Sequence, residues 1–497
     1  MIYKRILVLL TTVMISFLAL HFQLVAGGFL AISSINKPYT WNVAQFPIKY
    51  HLDQGNCGLL SNATMSQLVQ NNIAKWTTSQ IRYSSVQFSN GGSLSSDIKT
   101  AEEFEQIRLA QDGKNPIVYD VDGSIIEALG MPPGVIGFAS PVYVTNTGFI
   151  IKGIAVFNGN FLDGDPQDGY EMNTTEFGAI ILHEFGHFLN LDHTQINGHH
   201  FINDTDPGFQ LYGTPPVSSI SIMFPLALGL GEPTIPQADD IRAISELYPT
   251  SAYTAETKSI SGRVFMTDGV SPLTGANVIA RNNADPFMDV ASNVSGALTS
   301  EDPNDPDVAG FYTIPGLKSG ANYTIEVVNI NAEFDESSSV GPLDTPVALN
   351  SPEEFYNSGN ESNDGLTDDP TSWTLVQAGT ENVNIHLNAA ITSVNDANLQ
   401  ASEVPATLQL YANFPNPFNP ETAISFYVPK GQRVKLFIYD ILGREIRKLI
   451  DENIAAGLKS TIWDGRDNFG NTVAGGVYIY KILSEDAVKS RKLLLLK

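Results

Sequence analysis

The segment His183-Glu184-Phe185-Gly186-His187-Phe188-Leu189-Asn190-Leu191-Asp192-His193 decides how this 497-residue chain is read. His183 and His187 are four apart, so on a helix both imidazoles leave one face and can grip one metal ion. Glu184 sits one step round, beside that metal, where a water would be activated. His193 needs a different geometry. At roughly 100° per residue it lies about 240° round from His187 on a continuous helix, pointing away from the metal. The helix must therefore stop and the chain turn back. Asn190 is the expected breaker, because after glycine it tolerates the left-handed conformation best. Upstream, Asn173 or Thr174 can cap the helix and Glu176 favours its positive end. Phe177, Ile180, Ile181, Phe185 and Phe188 give it apolar faces. The spacing thus predicts a largely buried helix whose histidine side faces a cleft, with His183, His187 and His193 on one metal. An amphipathic core helix with incidental histidines is the alternative, and five matched positions at fixed spacing count against it.

The same stretch resembles the metzincin signature HExxHxxGxxH of zinc peptidases, with Asn190 where glycine is usual. Ser221-Ile222-Met223-Phe224-Pro225 is similar to the Met-turn of matrixins, the matrix-metalloprotease branch, in which a methionine floors the zinc-binding histidines. Taken alone, a methionine beside a phenylalanine is more often simple core. Asp239 to Tyr248 resembles the matrixin C-terminal helix, with Ile241, Ile244 and Tyr248 on one face. Upstream the likeness is looser. Trp41 to Leu52 reads as a first strand. Met65, Leu68, Val69, Ile73 and Trp76 form a helical stripe, with Thr64 and Gln67 as a capping box. Gly134 to Pro141 resembles the matrixin edge strand that lies antiparallel to bound substrate and holds it by main-chain hydrogen bonds.

The resemblance spans about residues 41–249 and is specific at 183–193, 221–225 and 239–248. It implies an α+β catalytic domain acting on protein or peptide, with one catalytic zinc on His183, His187 and His193. It also implies Glu184 as the general base, which takes the proton of the attacking water and hands it to the leaving nitrogen. Animal matrixins carry a histidine for a second, structural zinc in the edge-strand region. Here Gly137 stands near that position and no histidine lies between His51 and His183, so no structural zinc is expected. The loop from His193 to Met223 is longer than in compact matrixins. Its His199 and His200 are read as exposed loop residues, with adventitious metal ligands as the alternative.

The chain carries 53 acidic and 28 basic residues, a formal charge of −25. That excludes the basic footprint of a nucleic-acid binder. Lys4 and Arg5, the apolar run from Ile6 to Leu20 and small residues near Ala26 read as a secretory signal peptide over 1–26. The run is short for a membrane anchor, the alternative, and no other segment would span a bilayer. Cys57 is the sole cysteine, so no internal disulfide is expected. Cys57-Gly58 is similar to the dipeptide with which matrixin propeptides block zinc. It follows the first strand, however, and is read as a small loop residue rather than an inhibitor. Residues 27–40 are an N-terminal extension too short for a folded propeptide.

The catalytic domain is expected over 41–250, followed by a polar linker from Thr250 to Glu256. Alternating runs at Ser259–Phe265, Gly275–Ala280, Gly310–Leu317 and Tyr323–Val327, between Gly/Pro/Asn turns, predict a β-sandwich over 257–390. The pattern resembles the transthyretin-like, carboxypeptidase-regulatory type of domain. Its acidic loops (Glu301, Asp302, Asp305, Asp307; Glu361, Asp364, Asp368, Asp369) leave two readings open, solvated acid or calcium (Ca2+) sites. Asp163, Asp165 and Asp168 pose the same choice.

A linker at 391–406 leads to Asn413-Phe414-Pro415-Asn416-Pro417-Phe418-Asn419-Pro420, whose prolines exclude a helix or a central strand. Runs at Ala423–Val428, Val434–Tyr439, Thr461–Trp463 and Val477–Leu483 predict a second sandwich over 407–497. The stretches NFPNPFNPETAISFYVP, VKLFIYDILGREI and WDGRDNFGNTVAGGVYIYKI, with the basic tail Lys489-Ser490-Arg491-Lys492, resemble the C-terminal sorting domain of type IX secretion. That implies passage through the periplasm of a Gram-negative cell to the surface or medium, with the secretion machinery as partner. The expected fold class is multidomain: an α+β metzincin catalytic domain followed by two all-β immunoglobulin-like sandwiches, in a monomer. The rival is a surface adhesin or carbohydrate-binding protein with a non-catalytic metzincin domain. A hydrolase of another bond is a third. Intact His183, Glu184, His187, His193 and Met223 favour the endopeptidase.

Overall fold

The computed structural model describes Leu30 and residues 38–495, apart from 79–80, 132–133, 166–170, 199–210, 214, 227–232, 297–308, 332–333, 335–339, 341–345, 348, 350–352, 359–372, 388–407, 415–421, 429, 441–443, 455–456, 475 and 485–487. The signal-peptide segment, both acidic loops of the first sandwich, Asp168, His199 and His200 lie outside the described residues. The described residues form two compact units, one within 30–164 and 171–387 and one within 408–495 together with Asp165.

In the first unit the N-terminal half is a mixed sheet covered by helices. Its strands are β1 (Thr40–Trp41), β2 (Ile48–Leu52), β3 (Phe88–Ser93), β4 (Pro116–Asp120), β5 (Gly137–Val144) and β6 (Phe149–Asn158). They lie in the order β1-β6-β4-β2-β3, all parallel, with β5 antiparallel to β6. Side chains alternate between the two faces. Ile117, Tyr119, Ala155 and Phe157 join the core under α1 (Asn62–Ile73), α4 (Thr174–Phe188) and α5 (Ala238–Leu247). Val118, Ile154 and Val156 pack on the other face with Phe104 of α2 (Ala101–Leu109) and Ile125 of α3 (Ser124–Ala128). A sheet buried on both faces needs strands that are nearly continuously apolar, which β4 and β6 are.

Three sequence expectations change here. The stretch Trp41 to Leu52 is not one strand. Asn42 caps a short turn at Val43–Gln45, and Pro47, which has no N–H to donate, precedes β2. The cap of α1 is Ser61, whose side chain accepts from the Thr64 N–H, rather than Thr64 itself. Residues 250–256 are not an extended linker, because Ser251–Glu256 forms a short helix, α6, that runs straight into the next strand. The helices at Thr174–Phe188 and Ala238–Leu247 follow the expected pattern, the edge strand begins at Gly137, and β3, β4, β6, α2 and α3 carried no expectation.

The sandwich that follows comprises β7 (Thr257–Phe265), β8 (Asn277–Asn282), β9 (Val290–Val294), β10 (Phe311–Lys318), β11 (Asn322–Val328), β12 (Glu354–Phe355), β13 (Val376–Gln377) and β14 (Ile385–His386). One sheet has the order β10-β7-β14 and the other β12-β11-β8-β9, with β13 also on β11. Ile260, Val264, Val278, Ile314, Ile325 and Ile385 fill the space between them.

The second unit is a separate sandwich of β15 (Gln409–Phe414), β16 (Thr422–Val428), β17 (Gln432–Asp440), β18 (Glu445–Ile454), β19 (Gly457–Trp463), β20 (Gly476–Leu483) and β21 (Val488–Leu495). Its sheets run β15-β16-β19 and β18-β17-β20-β21 around Phe426, Leu436, Trp463 and Tyr480. Sequence alternation misses β15, β18 and β21. The register of β17 with β18 shifts twice, which breaks the period of two, and the basic tail pairs as a strand with β20. The chain is thus multidomain and rich in β-structure. Among the described residues no helix is long and apolar enough to cross a membrane.

Candidate metal centre

Helix α4 starts on a capping box. The Asn173 side chain accepts from the N–H groups of Thr175 and Glu176, and the Glu176 carboxylate accepts from the Asn173 N–H. It ends at Phe188, and Asn190 adopts a left-handed φ of 75°. The Leu191 N–H bonds the Gly186 carbonyl at 2.9 Å and the Asn190 N–H bonds the His187 carbonyl at 2.8 Å. This is a Schellman end with asparagine in the glycine position. The Asn190 side-chain amide also donates to the Tyr39 carbonyl. The last carbonyls of a helix need outside donors. The Trp41 indole supplies one to Phe188 at 3.0 Å and the Tyr248 hydroxyl one to Leu189 at 2.9 Å.

The turn brings His193 back onto the histidine face. Nε2 of His187 lies 3.1 Å from Nε2 of His183 and 3.1 Å from Nε2 of His193. Among the described residues this trio is the metal-capable cluster, its three ligand atoms within 4.8 Å of one another. Nδ1 of His183 meets the Ile222 carbonyl at 2.7 Å, and Nδ1 of His187 meets the Leu191 carbonyl at 2.9 Å. A carbonyl only accepts, so in both rings Nδ1 carries the proton and Nε2 is a bare lone pair. Burial lowers His183 to about 4 and His187 to about 3, the neighbouring His183 adding to the latter, so both rings are neutral at physiological pH. Two bare nitrogens face to face repel unless a cation lies between them. Zinc–nitrogen bonds of about 2.0–2.1 Å in a tetrahedron put neighbouring ligand nitrogens roughly 3.3 Å apart. The donor set fits zinc.

Glu184 is 6% exposed, and burial pushes its carboxyl up to about 8 against the pull of an Ala139 N–H hydrogen bond. Ala139 belongs to β5, so the edge strand holds the carboxylate. Its Oε2 is buried without a hydrogen-bond partner. A cation on the three imidazoles would draw this carboxyl back toward ionisation. Asp192 stays local, its carboxylate accepting from the His193 N–H at 2.8 Å.

Met223 lies directly beneath the motif. A Cβ at Gly186 would fall 2.1 Å from the Met223 sulfur, so a side chain there would displace the Met223 thioether from beneath the motif. The Met223 carbonyl accepts from the Thr194 N–H at 3.0 Å, tying this turn to the residue after His193. Sequence reasoning missed what holds the turn. The buried Asp240 carboxylate of α5 accepts from the Ser221 hydroxyl, from the N–H groups of Ile222 at 2.8 Å and Met223 at 3.1 Å, and from Gln237 N–H at 2.7 Å. Burial raises Asp240 to about 6, against those bonds. Asp239-Asp240 at a helix start reads as an ordinary complement to the helix dipole. Both are buried, and only their partners separate them, Asp240 taking the Met-turn N–H groups and Asp239 taking Arg242 and the Ser292 N–H. Asp240→Asn replaces an acceptor with a donor among N–H groups. It should cost about 2–3 kcal/mol of stability and loosen the Ile222 carbonyl under His183. Urea unfolding checks this, and an unchanged midpoint would contradict the anchor.

Cys57 is fully buried, its thiol 3.6 Å from the Phe157 carbonyl, and burial pushes its ionisation far up. It is not part of the histidine cluster.

Residues 412–496 match the family described as the secretion system C-terminal sorting domain. No curated protein matches the chain. Among solved structures, PorZ, a bacterial surface component of the type-IX secretion system of Porphyromonas gingivalis, is 20% identical over 18% of this chain and 11% of its own length, with a TM-score of 0.14. FlgD from Xanthomonas campestris is 26% identical over 18% of this chain and 64% of its own, with a TM-score of 0.14. Dimeric latent PorU from Porphyromonas gingivalis is 11% identical over 45% of this chain and 16% of its own, with a TM-score of 0.17. This chain therefore spans only 11% of PorZ and 16% of PorU. The C-terminal unit is a type IX secretion sorting domain, and the protein that carries it is secreted or held at the cell surface.

Proposed function

We propose that this chain is a secreted zinc endopeptidase of the metzincin type. The observation that carries the reading is the pair of bare Nε2 lone pairs on His183 and His187 at 3.1 Å, with His193 at the same distance from His187. Zinc, when bound there, supplies a Lewis acid that polarises a peptide carbonyl and lowers the pKa of a coordinated water. The chain's own residues do the rest. Glu184 accepts the water's proton as attack begins and returns it to the departing nitrogen. Its pocket excludes solvent, which strengthens that transfer. Among the described residues β5 pairs only with β6, so apart from the Ala139 N–H, which the Glu184 carboxylate takes, its outer edge can bind an extended peptide by main-chain hydrogen bonds. No residue becomes acylated.

Against the adhesin reading stands the intact set of His183, Glu184, His187, His193 and Met223, since a retired domain commonly loses the base or a ligand. The deciding experiment is zinc analysis of the purified full chain together with cleavage of a random peptide library. One zinc per chain and internal cleavage are expected. Absence of hydrolysis by the zinc-loaded protein would overturn the reading. The same digest tests specificity. The segment after the Met-turn is Pro225-Leu226-Ala227-Leu228-Gly229-Leu230, apolar by sequence, with residues 227–230 outside the described residues. An apolar wall favours Leu or Phe just after the scissile bond. A preference for Asp, Glu or Lys there would refute it.

A further inference from the structure

Two of the three candidate ligands stand on a capped helix. The third, His193, stands on irregular chain beyond the Asn190 turn, and something must fix it there. The next four residues all bind the β-sandwich. The Thr194 hydroxyl lies 3.2 Å from the Ser292 hydroxyl on β9. The Gln195 amide spans two backbone groups, donating to the Asn329 carbonyl at 2.7 Å and accepting from the Asn331 N–H at 3.1 Å. Ile196 is 1% exposed and packs with Ile279, Val290 and Val328. The Asn197 carbonyl oxygen accepts from the buried Arg281 guanidinium at 2.7 Å, and its amide donates to Ser219 and Phe287 carbonyls at 2.8 and 3.0 Å. Arg281 is itself paired with Glu326 at 2.6 Å, which fixes the donor. His193 forms a parallel bridge with Val340 of the same sandwich.

The sandwich also reaches the other supports of the site. Phe334 packs edge-on against Phe224, next to Met223, with ring centroids 5.6 Å apart. Asp239, the neighbour of the Met-turn anchor, accepts from the Ser292 N–H at 3.1 Å, while Arg242 donates to the Ser292 carbonyl at 3.2 Å.

We propose that the β-sandwich is the outer support of the metal centre, and that Gln195 and Asn197 are positioning residues which hold His193 through it. The proposal rests on the zinc reading of the site. Ordering a four-residue loop costs conformational entropy each time the metal binds, unless the loop is already fixed. Outer supports of metal ligands commonly govern metal affinity over a range of roughly 10–100-fold.

The test uses the full chain loaded with cobalt(II), as wild type, Gln195→Ala, Asn197→Gly and Val383→Ala. Asn197 has a φ of 59°, which glycine adopts freely, so that variant removes the side chain without straining the backbone. Val383 lies in the sandwich core away from the junction, and its variant lowers stability alone. The readouts are the rate of metal release to a chelator and the visible absorption of bound cobalt, which follows coordination. Gln195→Ala and Asn197→Gly should release metal roughly 10–100-fold faster and shift the cobalt bands, while Val383→Ala should melt earlier yet match wild type in both. If one junction variant does not fold, the other decides. Wild-type release by the junction variants would overturn the proposal, as would equal loss in Val383→Ala, and neither result touches the zinc reading. A wild type that takes up no metal overturns both.

Discussion

Glu184→Ala should keep its fold and its zinc and lose roughly 10²–10⁴-fold in peptide hydrolysis, the usual worth of a general base. The three imidazoles are untouched by the change, and the Nδ1 bonds that orient His183 and His187 go to Ile222 and Leu191 rather than to Glu184. The metal-free variant should be no less stable than wild type. The lost carboxyl has one oxygen buried without a partner, and burial already disfavours its charged form. His187→Ala behaves differently. It removes the nitrogen that lies nearest both other ligands and should lose metal and activity together. Metal content, thermal unfolding and peptide turnover on the three proteins separate these outcomes. Near-normal proteolysis by Glu184→Ala would sink the mechanism.

A chain ending after Ala406 should retain peptidase activity and fail to leave the periplasm. The sorting domain has its own two sheets and its own core around Trp463 and Tyr480, and such a unit folds independently. Among the described residues the candidate metal ligands are His183, His187 and His193, none of them in this domain. Removing it therefore deletes the address and spares the chemistry. Fractionation with an antibody to the catalytic region should find the truncated chain in the periplasm and the full chain outside. Normal delivery of the truncated chain to the surface or medium would show that the domain is not the address.

The parts of the site legible in the sequence are those set by neighbours along the chain. The helix face shared by His183 and His187, the Asn173 cap and the left-handed Asn190 follow from local geometry, and the structure places each as expected. The strands of both sandwiches were legible wherever alternation was clean. What escaped depends on distant partners. Thr194-Gln195-Ile196-Asn197 is a polar stretch with the composition of an exposed loop, yet all four residues are buried because the sandwich supplies their partners. Asp240 resembles its neighbour, which is equally buried, until the Met-turn N–H groups distinguish it. The helix at Ser251–Glu256 escaped because a six-residue helix has too few turns to show a period. The cap expected at Thr64 lies three positions earlier, at Ser61, just before the helix, and both residues carry a hydroxyl.

The buried Cys57 has a consequence for the chain's route. A protein that leaves the cytoplasm crosses from a reducing to an oxidising environment, where an accessible thiolate exchanges with disulfides and forms covalent dimers. Exchange needs the thiolate and needs access. The Cys57 sulfur has neither, being sealed in the core with its ionisation suppressed. Once folded, the chain travels as redox-inert cargo, invisible to the oxidoreductases that it passes.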